Sequence, residues 1–233
     1  MDSFFHFIFS QYQDYSPFLI FLELIASSFG LISVLLARRG SVWAFGVGLI
    51  STGLYVYLLW QWQLFGDMLI NGYYSIMGIY GWINWSKNKS VEQNTIEIQK
   101  TTLKEWMFLS VLALISFIFV TTIYYFKPWI NNNFNFNHIT LGFSQFIWTD
   151  YFDILTTGLF LVAMLLMAKR KIEHWIIWII ADMISVPLYF YKGMIFTSLQ
   201  YILFTIIAFM GLYSWRKLVH HDNYLANTKI HTN

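Results

Sequence analysis

Seven runs of roughly twenty predominantly apolar residues follow one another along the chain, at 18–37, 42–60, 67–85, 106–126, 151–168, 174–191 and 194–215. Each is long enough to cross the hydrocarbon core of a bilayer as a helix, which satisfies its own backbone polar groups without water. The charge content agrees. Only 11% of the 233 residues are charged, against about 25% in a soluble domain. The expected fold class is therefore an all-α polytopic membrane protein with seven transmembrane helices and no separate soluble domain. The chain has no cysteine, so disulfides and thiolate chemistry are excluded.

The remaining segments are short. Residues 1–17 open with the apolar MDSFFHFIFS, which lacks the basic stretch of a signal peptide. Residues 4–10 are expected to form a short helix lying in the membrane interface. Pro17 suits the first turn of the next helix. The first three runs make one unit, 18–85. A polar linker expected on the cytoplasmic side, 86–105, leads to a central connecting helix, 106–126. An outside loop, 127–150, contains the Asn-rich stretch 131–137. A second three-run unit, 151–215, is followed by a cytoplasmic tail, 216–233. Trp60, Trp62, Trp82, Trp85, Trp106 and Trp215 fall near run ends, where interfacial anchors belong.

The basic residues fix an orientation. With seven spans, twelve of the fourteen Lys and Arg fall on one side, and only Lys127 and Lys192 on the other. The positive-inside rule then places the N-terminus outside and the C-terminus in the cytoplasm of an inner-membrane protein. Six or eight spans would scatter the charges.

The two three-run units resemble each other. Residues 35–39 match 166–170 at an offset of 131, Trp43 matches Trp175 at 132, and 78–82 match 211–215 at 133. The near-constant offset reads as duplication of a three-helix unit around one inserted helix, a 3+1+3 arrangement. Four spans precede the second unit, so both units cross in the same direction and the repeat is parallel. Transporters built from repeats bind substrate near the midplane, between the halves.

Polar groups inside the apolar runs are the candidate site. On one face of the sixth run lie Trp178, Asp182 and Ser185. The fifth carries Asp153, Thr156 and Thr157, the third Asn71, Tyr74, Ser75 and Gly78, and the seventh Gln200 with Phe204. Ser, Thr, Asn and Gln in membrane helices also serve as interhelical hydrogen-bonding glue, so both readings stand for the threonines and serines. A carboxylate at mid-bilayer costs about 2.5–3.5 kcal/mol even on lenient scales, which points Asp182 to a cavity or a partner. Glycines 46, 48, 53, 72 and 78 fit close helix packing. A Trp face one turn from a carboxylate suits a flat cationic or electron-poor ring. Hydrolase, nucleotide-binding and zincin motifs are absent and the six histidines form no intramembrane pair, so an enzyme is not expected. No cofactor, metal or nucleic-acid partner is expected either.

The run from Asn71 to Trp82, NGYYSIMGIYGW, resembles the nicotinamide riboside transporter (PnuC) family. So do HWIIWIIADMISVPLYFYKGMIFTSLQYILF with its later GLYSW, and YFDILTT at 151–157. The resemblance covers 18–217. It implies a fold like a full-length SWEET sugar transporter, assembly as a homotrimer, and facilitated diffusion of nicotinamide riboside without ion coupling. A cytoplasmic nicotinamide riboside kinase would then trap the solute. On the matching positions it places Trp178, Asp182, Gln200, Asn71 and Tyr74 around the substrate. Relatives of the same architecture take thiamine or riboflavin. A sugar facilitator and a binding subunit needing a separate ATPase are the readings from other classes.

Overall fold

The computed structural model describes residues 16–62, 65–88, 98–132, 134–192 and 194–231. The interfacial helix expected at 4–10 lies outside them. Among the described residues there are seven α-helices: α1 Pro17–Arg38, α2 Trp43–Gln61, α3 Phe65–Lys87, α4 Leu103–Asn131, α5 Trp148–Ala168, α6 His174–Tyr191 and α7 Ile195–His231. A single 3-10 turn, Phe143–Gln145, precedes α5. Six helices are long and apolar enough to cross a membrane; α3 is 23 residues long but is not among the six.

Helix ends follow local chemistry, and several run past the apolar core of the segment. Ser16 caps α1, its hydroxyl accepting from the Leu19 amide, with Pro17 in the first turn. α4 begins at 103 because Thr102 and Glu105 form a capping box. It continues to Asn131, with Pro128 in its last turn. α7 remains helical to His231, so the tail expected from 216 continues the seventh helix. Apolar runs locate the part of a helix that lipid or packing covers; a polar helix end escapes that test.

The helices pack as two three-helix groups. α1 packs on α2 and α2 on α3; α5 packs on α6 and α6 on α7. Two contacts join the groups, α1 with α7 and α3 with α5, while α4 lies against α5 and more lightly against α3.

The same contacts recur at an offset of 130 residues. At the α1–α2 turn the Gly40 amide donates to Ala37 O and Ser41 N to Leu36 O. At the α5–α6 turn Arg170 N donates to Met167 O and Lys171 N to Leu166 O. Gly40 has φ 67° and Arg170 φ 62°, so the second turn holds an arginine in the left-handed region where the first has glycine. Between the groups the Trp85 indole N–H donates to Met167 O at 2.9 Å, and the Trp215 indole N–H to Ala37 O at 3.0 Å. Asn84 Nδ2 donates to Ala168 O, and Arg38 Nε to Ser214 Oγ, again 130 apart on both sides. The offset of 133 comes from aligning GIYGW with GLYSW, which pairs Gly78 with Gly211, whereas these contacts pair Gly81 with Gly211. In three dimensions the glycine that matters is the one facing a ring. A Cβ on Gly81 would lie 2.3 Å from the Phe45 ring, and one on Gly211 2.6 Å from Trp175. Of the glycines expected to serve packing, Gly53 and Gly72 have nothing within 4 Å of such a Cβ.

The core sits at this end of the bundle, which also carries Arg38, Arg39, Lys169 and Arg170 and is called the basic end below. Trp85, Trp175 and Trp215 are each 0% exposed, and Phe45 2%. Trp85 and Trp215 have ring centroids 5.7 Å apart. They are therefore not interfacial anchors. Proximity to a helix end is common to a Trp facing headgroups and one facing the opposite helix group, and only the tertiary fold separates the two. Trp60, Trp82 and Trp106 do face outward.

The linker is partly docked here too. Gln99 pairs with Lys171 in an isolated parallel bridge, and Thr101 donates through its amide and hydroxyl to the Glu173 carboxylate. Lys171, 5% exposed, is held by Glu105 at 2.7 Å and by Lys100 O.

Candidate functional site: a cavity between the helix groups

A cavity of about 820 Å³ lies between the two groups, within the ~300–1,000 Å³ usual for small-molecule sites. Phe45 and Met167 close it towards the basic end. Among its lining residues only Asp67, Lys127 and Lys192 are exposed, and they gather at the opposite end. That end is its mouth.

α6 supplies the most distinctive pair. Trp178 and Asp182 are one turn apart and both line the cavity. Trp178 is fixed from behind by edge contacts to His174 at 5.0 Å and Trp175 at 5.3 Å. His174 is itself 0% exposed and anchored through Nδ1, 2.6 Å from Lys171 O. Asp182 is 4% exposed, and among the described residues no hydrogen-bond or ion-pair partner reaches its carboxylate. A buried carboxylate facing a cavity with no protein partner is a place for a ligand donor or cation.

The other sequence candidates divide. Gln200 and Tyr74 line the cavity, as does Asn71, whose Nδ2 donates to Asp67 O one turn earlier. Asp153 lines it near the mouth. Thr156 does not; its hydroxyl donates back to Phe152 O at 2.9 Å and Asp153 O at 3.2 Å within α5. Ser185, 0% exposed, is likewise away from the cavity wall, although it shares a helix face with Asp182 on paper. Ser75 bonds Thr52 Oγ1 at 2.8 Å, as glue between α2 and α3.

Sequence reasoning missed an aromatic wall. The rings of Phe160, Tyr201 and Tyr189 stack in sequence, at 5.8 Å and 21° and then 5.1 Å and 19°, and all three line the cavity. With 21% aromatic residues in the chain, no local pattern singled them out. It also missed the ionic pairing at the mouth. Lys192 Nζ bonds Asp153 Oδ2 at 2.5 Å, and Lys127 lies 3.5 Å from Asp150.

The lining has a clear charge balance. Four carboxylates, Glu23, Asp67, Asp153 and Asp182, face two lysines, Lys127 and Lys192, a formal surplus of two negative charges. Both lysines already have an acidic partner. Such a cavity favours a cation or a neutral solute and disfavours an anion. Among the described residues no cluster of His, Cys, Asp or Glu is arranged to hold a metal.

A multi-helix membrane protein with a solute-sized cavity between two three-helix groups is of the class that carries small molecules across membranes. Known proteins place it further. The model of the nicotinamide mononucleotide transporter family matches residues 20–217, and the chain belongs to that family. It is 29% identical over 210 residues to the nicotinamide riboside transporter PnuC of Escherichia coli, covering 84% of this chain and 85% of that one. It is 22% identical over 198 residues to the riboflavin/roseoflavin transporter RibM of Streptomyces davaonensis, with 84% and 85% covered. Its fold is similar to a crystal structure of the vitamin B3 transporter PnuC, with TM-score 0.63 and 21% identity over 86% of this chain and 83% of that one.

Proposed function

We propose that the chain carries nicotinamide riboside across the inner membrane by facilitated diffusion, through the cavity between its two helix groups. The observation that carries this reading is the unpartnered Asp182 one turn from the fixed Trp178. Nicotinamide riboside is a flat pyridinium cation joined to a ribose. Trp178 or the stacked tyrosine wall offers the ring a face, Asp182 offers the cation negative potential, and Gln200 and Asn71 offer hydrogen bonds to ribose or carboxamide. Asp153 and Tyr74 belong to the same lining; Thr156 acts from behind it by shaping α5.

The charge balance separates the riboside from its 5′-phosphate. A phosphate needs a cation or a nest of free amides, and the two lysines of the lining are spent on Asp150 and Asp153. The riboside is the better fit.

Seven spans and two parallel units of SWEET-like arrangement complete the reading. α3 has the length of a span, and its polar residues Asp67 and Asn71 face the cavity rather than lipid. The contacts repeated at 130 residues support duplication, and Ala37, Trp85, Met167 and Trp215 meeting at one end supports a parallel sense. The twelve-to-two division of basic residues places that end in the cytoplasm and the N-terminus outside. Assembly as a homotrimer and trapping by a cytoplasmic riboside kinase rest on the family resemblance alone.

A second reading, riboflavin, is favoured by the RibM relative and by the stacked aromatic wall. Riboflavin is flat and uncharged, and would offer Asp182 hydrogen-bond donors but no charge. Counterflow in proteoliposomes decides between them. Labelled nicotinamide riboside should exchange against unlabelled riboside, with neither its mononucleotide nor riboflavin competing at equal concentration. Exchange of riboflavin without exchange of the riboside would overturn the proposal.

A further inference from the structure

The mouth of the cavity holds a second buried carboxylate, and this one already has a cation on it. Asp153, near the start of α5, is 7% exposed and accepts from Lys192 Nζ at 2.5 Å. Lys192 comes from the turn after α6, and Tyr124 of α4 lines the same part of the wall. All three residues line the cavity. The positions 130 residues earlier are Glu23 and Trp62, which also line it. The acid therefore recurs in the first helix group, and the lysine does not.

Lys192 is a flexible four-carbon stem on an exposed turn, and its charged end lines the cavity while it pairs with Asp153 of α5. Its Nζ also lies 5.3 Å from the centre of the Tyr189 ring, the first of the three stacked rings. An ammonium held between a carboxylate and an aromatic face occupies the surroundings that suit a flat organic cation.

We propose that Asp153 is an outer cation subsite, filled in this conformation by the Lys192 ammonium, and that a cationic solute exchanges with that ammonium on its way to Asp182. This rests on the riboside reading of the cavity and deepens it. One cation replaces another, so the Asp153 carboxylate is never stranded without a counter-charge. The displaced ammonium turns to water at the mouth. A neutral solute has no charge with which to displace Lys192, and an anion meets the surplus of carboxylates behind it. Lys192 is thus a tethered competitor that sets a threshold for cations.

An ion pair that merely ties α5 to the α6–α7 turn would behave differently. Breaking a tie from either side does the same damage, whereas removing a subsite and removing its competitor have opposite effects. The test measures the KM for labelled nicotinamide riboside in proteoliposomes for the parent, Asp153→Asn, Lys192→Gln and Lys192→Arg, each shown monodisperse and folded. Asp153→Asn should raise KM about tenfold or more. Lys192→Gln should lower it about fivefold, because the site no longer has to be vacated first. Lys192→Arg should remain close to the parent. If both neutralising variants raise KM, or if Lys192→Gln leaves it unchanged, the subsite is refuted. Should Asp153→Asn fail to fold, the direction of the Lys192→Gln shift decides alone. Absence of riboside uptake by the parent would overturn the riboside reading itself, a result distinct from uptake that ignores both substitutions.

Discussion

The two ends of the bundle are built from opposite materials. At the basic end, rings fill the space between the helix groups and two indoles reach across to carbonyls on the opposite group. At the mouth, the cavity lies between the groups, and ion pairs, Lys192 on Asp153 and Lys127 on Asp150, stand beside ring contacts such as Trp148 with Tyr191. Dense aromatic packing has few alternative arrangements and resists opening. Ion pairs at a wet mouth exchange partners with water and solute at modest cost. One end of this structure is shut by packing and the other is guarded by charge. For solute to leave through the basic end, the crossed Trp contacts have to separate together.

The largest expected effects lie at the packed end. Trp215→Ala removes a fully buried ring and an indole bond, and should destabilise the protein by about 3 kcal/mol or more. Trp85→Ala should match it, because the two contacts are reciprocal. Trp60→Ala, whose side chain faces outward, should stay within about 0.5 kcal/mol. Thermal unfolding in detergent ranks the three. A Trp60 variant as damaged as Trp215→Ala would break the distinction between core and surface tryptophans.

Intermediate effects belong to the cavity wall. Trp178→Ala and Asp182→Asn should each weaken nicotinamide riboside about tenfold, from the loss of roughly 1–2 kcal/mol of stacking or charge attraction. Asp182→Asn should leave thermal stability close to the parent, because no described residue depends on that carboxylate. Gln200→Ala removes one hydrogen-bonding group and should cost about 1 kcal/mol, read as a several-fold rise in Kd by calorimetry. Losing folded protein rather than affinity in these variants would return the residues to a packing role.

The smallest expected effect is none. Among the described residues of the cavity Asp153 is occupied by Lys192, and Asp182 has no basic or histidine partner through which to relay a proton. With the membrane potential held at zero, imposing a proton or sodium gradient on proteoliposomes should therefore leave the final distribution of labelled solute equal on both sides. Gradient-dependent accumulation would show coupling that this wall does not explain.

How much of this was legible in sequence differed between the same two regions. Apolar runs gave the helices, and the cost of burying polar groups brought out Trp178, Asp182, Asn71 and Gln200, all of which line the cavity. Helical periodicity places a residue on a face without saying how deep or how wide the cavity is, so it took in Ser185 and Thr156 as well. Trp85 and Trp215 were assigned to the lipid interface because the partner that buries each lies more than eighty residues away. Lys192 was counted as a marker of topology; its pairing with Asp153, 39 residues distant, has no local signature. The reciprocal contacts between the two helix groups are visible only at an offset of 130, which follows from which glycine faces a ring.

The most direct test of a cation-selecting cavity is calorimetric titration of the purified protein and its Asp182→Asn variant with nicotinamide riboside and nicotinamide mononucleotide. The parent is expected to bind the riboside, to bind the mononucleotide far more weakly, and to lose about tenfold of its riboside affinity on Asp182→Asn. Equal affinity for the two ligands, or a riboside affinity indifferent to Asp182→Asn, would contradict it.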